Sequence, residues 1–434
     1  MPTLTTGKVA EVMFEKAMET HEEQMQMLGT TEFHAPDGGS MQNSGNIIWY
    51  PIQQYAPVID GWVVTGEETG IIEETYPATL GVPKNDFVQL RADDLRDQRF
   101  WERRARESGR QQATELNKLI ARAVALQGSL FYSSNASSGY DFIAEAQVIM
   151  NERQLPTTNR YFYINDRDNL KFGEDLAARQ TLQGRPEKTW ATGQIGQNVA
   201  QFDIYAASFL PNLIGGTDPV TPITVATEPH FKPEAGSVNE VTGVVTNIDY
   251  RSAELTVDEY TTENYNVGDK ITISNGIEVI ESIGLSDKNP TGQPMTFTIV
   301  EIPAGTTATT IRISPKPIAL DDTAELSTLE LAYANISTRI LVDATLNRVN
   351  TEASNKTNLF WDKSAVEVLG GTIPANLFAQ YDGMKVITDT MKNGQQLYMV
   401  YDGNLETMTF RFRLFTWYGI TVCNPSLCGV ALTE

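Results

Sequence analysis

Residues 85–110 read "NDFVQLRADDLRDQRFWERRARESGR", and the fold turns on how that stretch is read. Arginines crowd among aspartates and glutamates in a chain whose formal net charge is −22. Opposite charges recur at helical spacing in Asp93/Arg96, Glu102/Arg106, Arg103/Glu107 and, further on, Glu115/Lys118. An apolar stripe of Leu116, Ile120, Ala123 and Val124 follows. The pattern predicts one helix over 91–127, some 55 Å long at about 1.5 Å per residue. Gly109 stands in its middle as a place for a bend. No heptad is sustained, so a coiled coil is not expected.

On either side of this helix the chain changes texture. Residues 7–28 read as an amphipathic helix closed by Gly29, with Val9, Val12, Met13, Ala17 and Met18 on one face. "IIWYPIQQY" reads as an edge strand interrupted by Pro51. Residues 58–80 read as two extended arms around a Gly-rich tip, with few residues fit for a core, so a projecting hairpin is expected. Helix, strand and helix follow between Phe142 and Phe202. Residues 225–340 then break into short Thr/Val/Ile runs separated by Gly, Pro, Asn and Asp, the texture of a small all-β barrel or sandwich. They hold 17 acidic against 7 basic residues. After them α+β texture returns. The expected class is α+β, with a β module inserted into an α+β host.

Chemistry is hard to find. There is no phosphate loop, GxGxxG, HExxH, EF-hand loop or paired CxxC. His21, His34 and His230 are the only histidines, each expected at the surface. Carboxylate pairs such as Asp93/Asp94 and Asp321/Asp322 have nothing to single them out. "GQIG" at 193–196 lacks the basic setting of an RNA clamp and reads as a turn. Cys423 and Cys428 are expected as buried thiols, no export signal being visible. No apolar run approaches the roughly 20 residues of a membrane span. The acidic balance argues against sequence-specific nucleic-acid reading and is compatible with solubility alone or with a surface that must lie beside nucleic acid without sticking. No cofactor, metal or catalytic residue is expected. An assembling, structural protein is.

The opening stretch also carries a likeness. "NDF" (85–87) and "QLRADDLRD" (89–97) resemble the coat proteins of P22-like short-tailed bacteriophages. The likeness runs on through "SMQNSGNIIWYPIQQ" (40–54), "GW" (61–62), "DFIAEAQVIM" (141–150), "GQNVAQFD" (196–203) and "FKP" (231–233). It continues in "GDKI" (268–271), "PKPIALDD" (315–322), "AYAN" (332–335), "FW" (360–361), "IPAN" (373–376) and "WYG" (417–419). Single pieces are weak; their common order over nearly the whole chain is strong.

The resemblance implies an HK97-type capsid fold. Its parts would be an N-terminal arm (1–39), an E-loop (55–80), and a P-domain (40–54 and 81–130) with its spine helix at 91–127. A- and P-domain segments would occupy 131–223, a six-stranded barrel or I-domain 224–342, and the returning A-domain with closing P-domain strands 343–434. It implies a major capsid protein forming pentamers and hexamers around double-stranded DNA. A scaffolding protein, a portal, a procapsid that expands, and assembly in the host bacterial cytoplasm come with it. Expected subunit-contact residues are Arg91, Asp94, Arg96, Arg99, Arg103 and Arg106 on the helix and Trp62, Glu67 and Glu68 on the E-loop. Asp249 and Arg251 are expected in a loop bridging local two-fold axes, and Glu11 and Glu15 on a face toward the scaffold. Still open are a same-fold nanocompartment shell, a β-rich tail-associated binding protein and a carboxylate hydrolase.

Overall fold

The computed structural model describes every residue except 1–5, 36–44, 53, 59–61, 63–69, 92, 135–138, 179–193, 218–221, 239–243, 262, 304–306, 374–384, 405 and 434. The class is α+β, and the chain divides into two compact units. The first comprises Met1–Ile48, Ala78–Ile120 and Glu367–Thr421. The second comprises Trp49–Pro77, Ala121–Val366 and Val422–Glu434.

In the first unit a four-stranded antiparallel sheet runs in the order Lys385–Thr390, Gln396–Asn404, Thr409–Thr416, Lys84–Arg91. Helix α1 (Thr6–Gln24) brings Ala10, Met13, Phe14 and Ala17 onto a core with Leu90, Leu397, Phe410 and Phe412. Their spacing of three and four puts them on one face of the helix. His21 continues that face and is fully buried, not at the surface, with neither ring nitrogen hydrogen-bonded. Burial drives its pKa down to about 4, so the ring is neutral.

The long helix α2 spans Gln98–Gln127 and is therefore shorter than the expected 91–127. Residues 84–91 pair instead with Thr409–Thr416, from Lys84 opposite Thr416 to Arg91 opposite Thr409. A 3-10 turn at Asp94–Arg96 follows, with the Asp94 carboxylate accepting the Arg91 N–H at 3.0 Å. Asp97 then caps the helix, its Oδ1 accepting from Arg99 N at 3.0 Å. Trp101, Ala105, Ala113, Leu116, Ile120 and Val124 form the buried stripe. The helix runs unbroken through Gly109. A Cβ there would lie 2.1 Å from the Ala17 carbonyl oxygen, so the glycine lets α1 cross against the helix backbone.

The second unit holds a mixed sheet in the order Leu130–Ser134, Cys428–Thr433, Asn355–Asp362, Arg160–Ile164, Phe202–Ala206, Gln194–Val199. The residues 194–196 expected in a turn thus open a strand. Helices α3 (Tyr140–Glu152) and α4 (Asp166–Ala178) connect its strands. Aromatic residues dominate its core, with Tyr163 stacked on Trp361 at 4.7 Å and Phe162 on Phe360 at 6.1 Å. Cys423 and Cys428 are buried and not joined in a disulfide.

The same unit contains an antiparallel sheet in the order Ala253–Thr261, Thr307–Ser314, Phe297–Glu301, Lys270–Asn275, Glu278–Val279, with Thr345–Arg348 also paired to Lys270–Asn275. Its buried face is aliphatic, built from residues such as Leu255, Val257, Ile271, Ile273, Ile299 and Ile311. Residues 223–226 bond to two of its strands. Val225 N donates to Ala344 O at 2.9 Å and Leu346 N to Ile223 O at 2.9 Å. On the other side Ala226 N donates to Thr256 O at 3.1 Å and Asp258 N to Thr224 O at 2.9 Å.

Candidate subunit-contact surfaces

Helix α2 turns two chemically different faces outward and inward. Inward, the Asp86 carboxylate takes Arg104 Nη2 at 2.7 Å and the Ser108 hydroxyl. Lys84 reaches Glu115 at 3.3 Å. Gln112 donates to Lys84 O at 3.2 Å and accepts from the Thr416 hydroxyl at 3.1 Å. These contacts tie the helix to two strands of its sheet. Outward, Arg99, Arg103 and Arg106 are exposed, as are Arg91 and Arg96 before the helix.

None of these five arginines forms an ion pair with another described residue. Nor do the charge pairs expected along the helix form. Glu102 accepts from Gln98 at 2.8 Å, Glu107 from Gln111 at 2.7 Å and Arg110 at 3.1 Å, and Glu115 is taken by Lys84. Arg103 donates instead to Arg99 O at 3.0 Å. A chain of strongly negative charge thus keeps five arginines exposed, with Arg106 near enough to Glu19 to help hold that carboxyl low.

In the stretch expected as a projecting hairpin, of which 59–61 and 63–69 lie outside the described residues, the apolar side chains of Val58, Trp62 and Ile71 are exposed, at 92%, 104% and 75% of full exposure. Glu67 and Glu68 lie outside the described residues. Glu11 and Glu15 sit on the exposed face of α1, opposite Met13 and Phe14.

Asp249 and Arg251 are brought together with each other. Arg251 Nε and Nη2 donate to the two carboxylate oxygens at 2.9 and 2.8 Å, a bidentate pair, and Nη1 donates to Val422 O at 2.8 Å. Between them the Tyr250 hydroxyl donates to Cys423 O at 2.5 Å, and Tyr250 N donates to Thr75 O at 3.2 Å. Burial opposes the Arg251 charge, and the Asp249 carboxylate more than offsets it, raising the arginine pKa. The pair therefore shapes its own loop.

One site escaped the sequence reading, the "GDK" at 268–270. Lys270 is fully buried and donates to the carbonyls of Ala125 and Gly128 at the C-terminal end of α2, the first at 3.2 Å, and to Thr298 Oγ1 at 2.9 Å. The Thr298 hydroxyl itself donates to Gly128 O at 2.7 Å, and Thr296 Oγ1 to Ser129 O at 2.5 Å. An ammonium at the negative end of a helix completes carbonyls left over by the helix. Asp269 beside it accepts from Gly216 N, Asn266 N and Asn350 Nδ2 at 3.1, 2.8 and 3.0 Å. Gly268 has φ +102°, and a Cβ there would meet Leu126 Cδ2 at 2.6 Å. The inserted sheet is thus fastened to the end of α2 by buried polar contacts. Burial, opposed by Cys428 and Asp269, pulls Lys270 down to about 7.

Among the described residues no group of His, Cys, Asp and Glu gathers to hold a metal ion, and no helix is long and apolar enough to cross a membrane. The described residues offer an exposed arginine face, exposed apolar side chains at Val58, Trp62 and Ile71, and an inserted sheet fastened to the end of α2.

A family model described as P22 coat protein, gene protein 5, matches residues 2–434. The chain belongs to that family. It is a major capsid protein, a structural subunit whose copies assemble into an icosahedral phage shell. Solved structures similar to it include the capsid of the cyanophage P-SCSP1u, 11% identical over 93% of this chain and 86% of its own, with a TM-score of 0.42. The capsid of Ralstonia phage GP4 is 8% identical over 95% and 90%, at 0.42. A virus-like particle from Pyrococcus furiosus is 7% identical over 98% and 98%, at 0.40. The assignment rests on the whole-chain family match.

Proposed function

We propose that this subunit forms pentamers and hexamers of a procapsid, built on an internal scaffolding protein in the host bacterial cytoplasm. The procapsid then expands as double-stranded DNA enters through a portal. The observation that carries the reading is the exposure of Val58, Trp62 and Ile71. Large apolar side chains so exposed need cover, and a neighbouring copy supplies it in a closed shell. The arms are the E-loop of this reading, α2 the spine helix, and Arg91, Asp94, Arg96, Arg99, Arg103 and Arg106 the charges that set register between copies. Trp62 is the apolar contact of the arm, with Glu67 and Glu68 as acids for the arginine face. Glu11 and Glu15 face the scaffold.

The inserted module is read as a closed six-stranded barrel, the I-domain. The bonds of residues 223–226 to both Ala253–Thr261 and Thr345–Arg348 support closure. The loop around Asp249 and Arg251 meets its symmetry mate across a local two-fold axis, in the shape their mutual pairing imposes. Electron microscopy of the purified protein, with and without its scaffolding partner, tests the proposal. Uniform closed shells with scaffold and irregular ones without it are expected. Monomers under both conditions overturn it.

A further inference from the structure

Within the second unit a cavity of about 160 Å³ opens among the roots of the extended arms, the end of α3 and the inserted sheet. Ile52, Tyr55 and Glu74 line it from the arms, Arg153 from the residue after α3, and Lys288 and Lys316 from the insert. Two of these cations have no carboxylate partner among the described residues. Arg153 is 7% exposed, and its Nη2 makes only long bonds, 3.3 Å to Pro294 O and 3.4 Å to Thr296 Oγ1. Its Nε is buried without a hydrogen-bond partner among the described residues. Lys288 Nζ donates to Ala334 O at 3.0 Å and lies 5.4 Å from the centre of the Tyr55 ring. The backbone holds both to one wall, since Leu285 N donates to Arg153 O at 3.1 Å and Lys288 N to Gly284 O at 3.2 Å.

The other charges are answered. Lys316 pairs with Glu234 at 3.6 Å, and Arg251, also on the wall, pairs with Asp249. Neighbouring acids Glu152 and Asp287 do not line the cavity, which leaves Glu74 as its one lining carboxylate among the described residues. An underbonded, buried guanidinium and a carboxylate-free ammonium on one wall make a positive pocket. The space holds several waters or one small ion and is too small for a nucleotide.

We propose that this cavity is a binding site for a small tetrahedral dianion, phosphate or sulfate, held by the Arg153 guanidinium and the Lys288 ammonium. Arg153 supplies planar N–H donors suited to an oxyanion and Lys288 a point charge. A bound anion would lock the roots of the arms, through Tyr55 under Lys288, against the insert.

Sulfate is the probe, because its charge is fixed across the working range. The purified full-length monomer is titrated with sodium sulfate at pH 7.5 and constant ionic strength, between Glu74, which burial raises to about 7, and Lys288, which burial lowers to about 8, with sodium chloride as the replaced salt, and its melting temperature is followed. A saturable rise with sulfate is expected. Lys288→Gln, at a partly exposed position, weakens the apparent affinity about tenfold or more. Glu74→Gln strengthens it severalfold by removing the lining carboxylate. Lys392→Gln, an 89% exposed cation of the first unit, leaves it unchanged. Should Arg153→Gln fail to fold, the Lys288 and Glu74 variants still decide. An equal response to chloride, or the same sulfate midpoint in wild type and Lys288→Gln, overturns the proposal. So does a loss in Lys392→Gln as large as that in Lys288→Gln.

Discussion

Replacing Lys270 by methionine should destabilise the protein, and by more at pH 9 than at pH 7. The side chain supplies hydrogen bonds to Ala125 O, Gly128 O and Thr298 Oγ1. Of these, Gly128 O keeps the Thr298 hydroxyl, so the Ala125 carbonyl is the acceptor left short. A buried polar group without its partner costs about 1–3 kcal/mol. The pH term adds to this. Lys270 is pulled from 10.5 to about 7 in the folded state. Between those values the unfolded chain carries a proton that the folded one has released, so unfolding takes up a proton and rising pH favours the fold.

At about 1.36 kcal/mol per unit, the two units from pH 7 to 9 give wild type up to roughly 2.7 kcal/mol that the methionine variant lacks. This is an upper bound, because the three acceptors around Nζ favour the ammonium. The window closes at pH 9 because Cys428 beside it, raised from 9.0 to about 12, then contributes in the opposite sense. Urea midpoints of the monomer, read from the fluorescence of buried Trp361, provide the assay. The gap between the two proteins should widen as pH rises from 7 to 9. Other titrating groups are common to both and cancel. Parallel midpoints over that range would refute the assignment of a depressed lysine.

Four further expectations can be checked directly. Arg103→Glu with Arg106→Glu reverses two exposed charges of α2 and should leave the monomer's stability within about 0.5 kcal/mol while lowering the yield of closed shells by microscopy; normal yield would remove these residues from the contact. Gly109→Ala gains about 1 kcal/mol of helix propensity but places a Cβ 2.1 Å from Ala17 O. The resulting overpacking costs about 1–3 kcal/mol, so a net loss of melting temperature is expected. His21 is depressed from 6.5 to about 4, so its proton-linked stability is present above pH 6.5 and is lost as pH falls toward 4; His21→Met should flatten that acid-side loss in denaturation midpoints. Glu11→Lys with Glu15→Lys should reduce scaffold content in sedimented procapsids without changing the monomer's melting temperature.

The parts legible in the sequence were those governed by local periodicity. The stripe of α2 declared itself because Leu116, Ile120 and Val124 recur at helical spacing and are all buried. Its start did not. The charges at helical spacing from Asp93 onward suggested a helix from 91, but Arg91 ends a strand paired with Thr409–Thr416, more than 300 positions away, and a 3-10 turn at Asp94–Arg96 delays the helix to Gln98. The same limit governs side chains. His21 read as a surface residue and Lys270 drew no reading of its own, and only the packing around α1 and the approach of α2 to the insert take them out of water. Arg251 was found as a residue of interest, but its bidentate hold on Asp249 two positions earlier depends on a turn that composition does not reveal.

The ends of the inserted sheet carry a mechanical consequence. Thr224 and Thr345 are bridged side by side, although 120 residues of chain lie between them. Tension along the flanking chain, such as a shell feels when its contents press outward, passes across that short bridge. It need not run through the strands in between, so the module can keep its shape while the subunit around it is stretched.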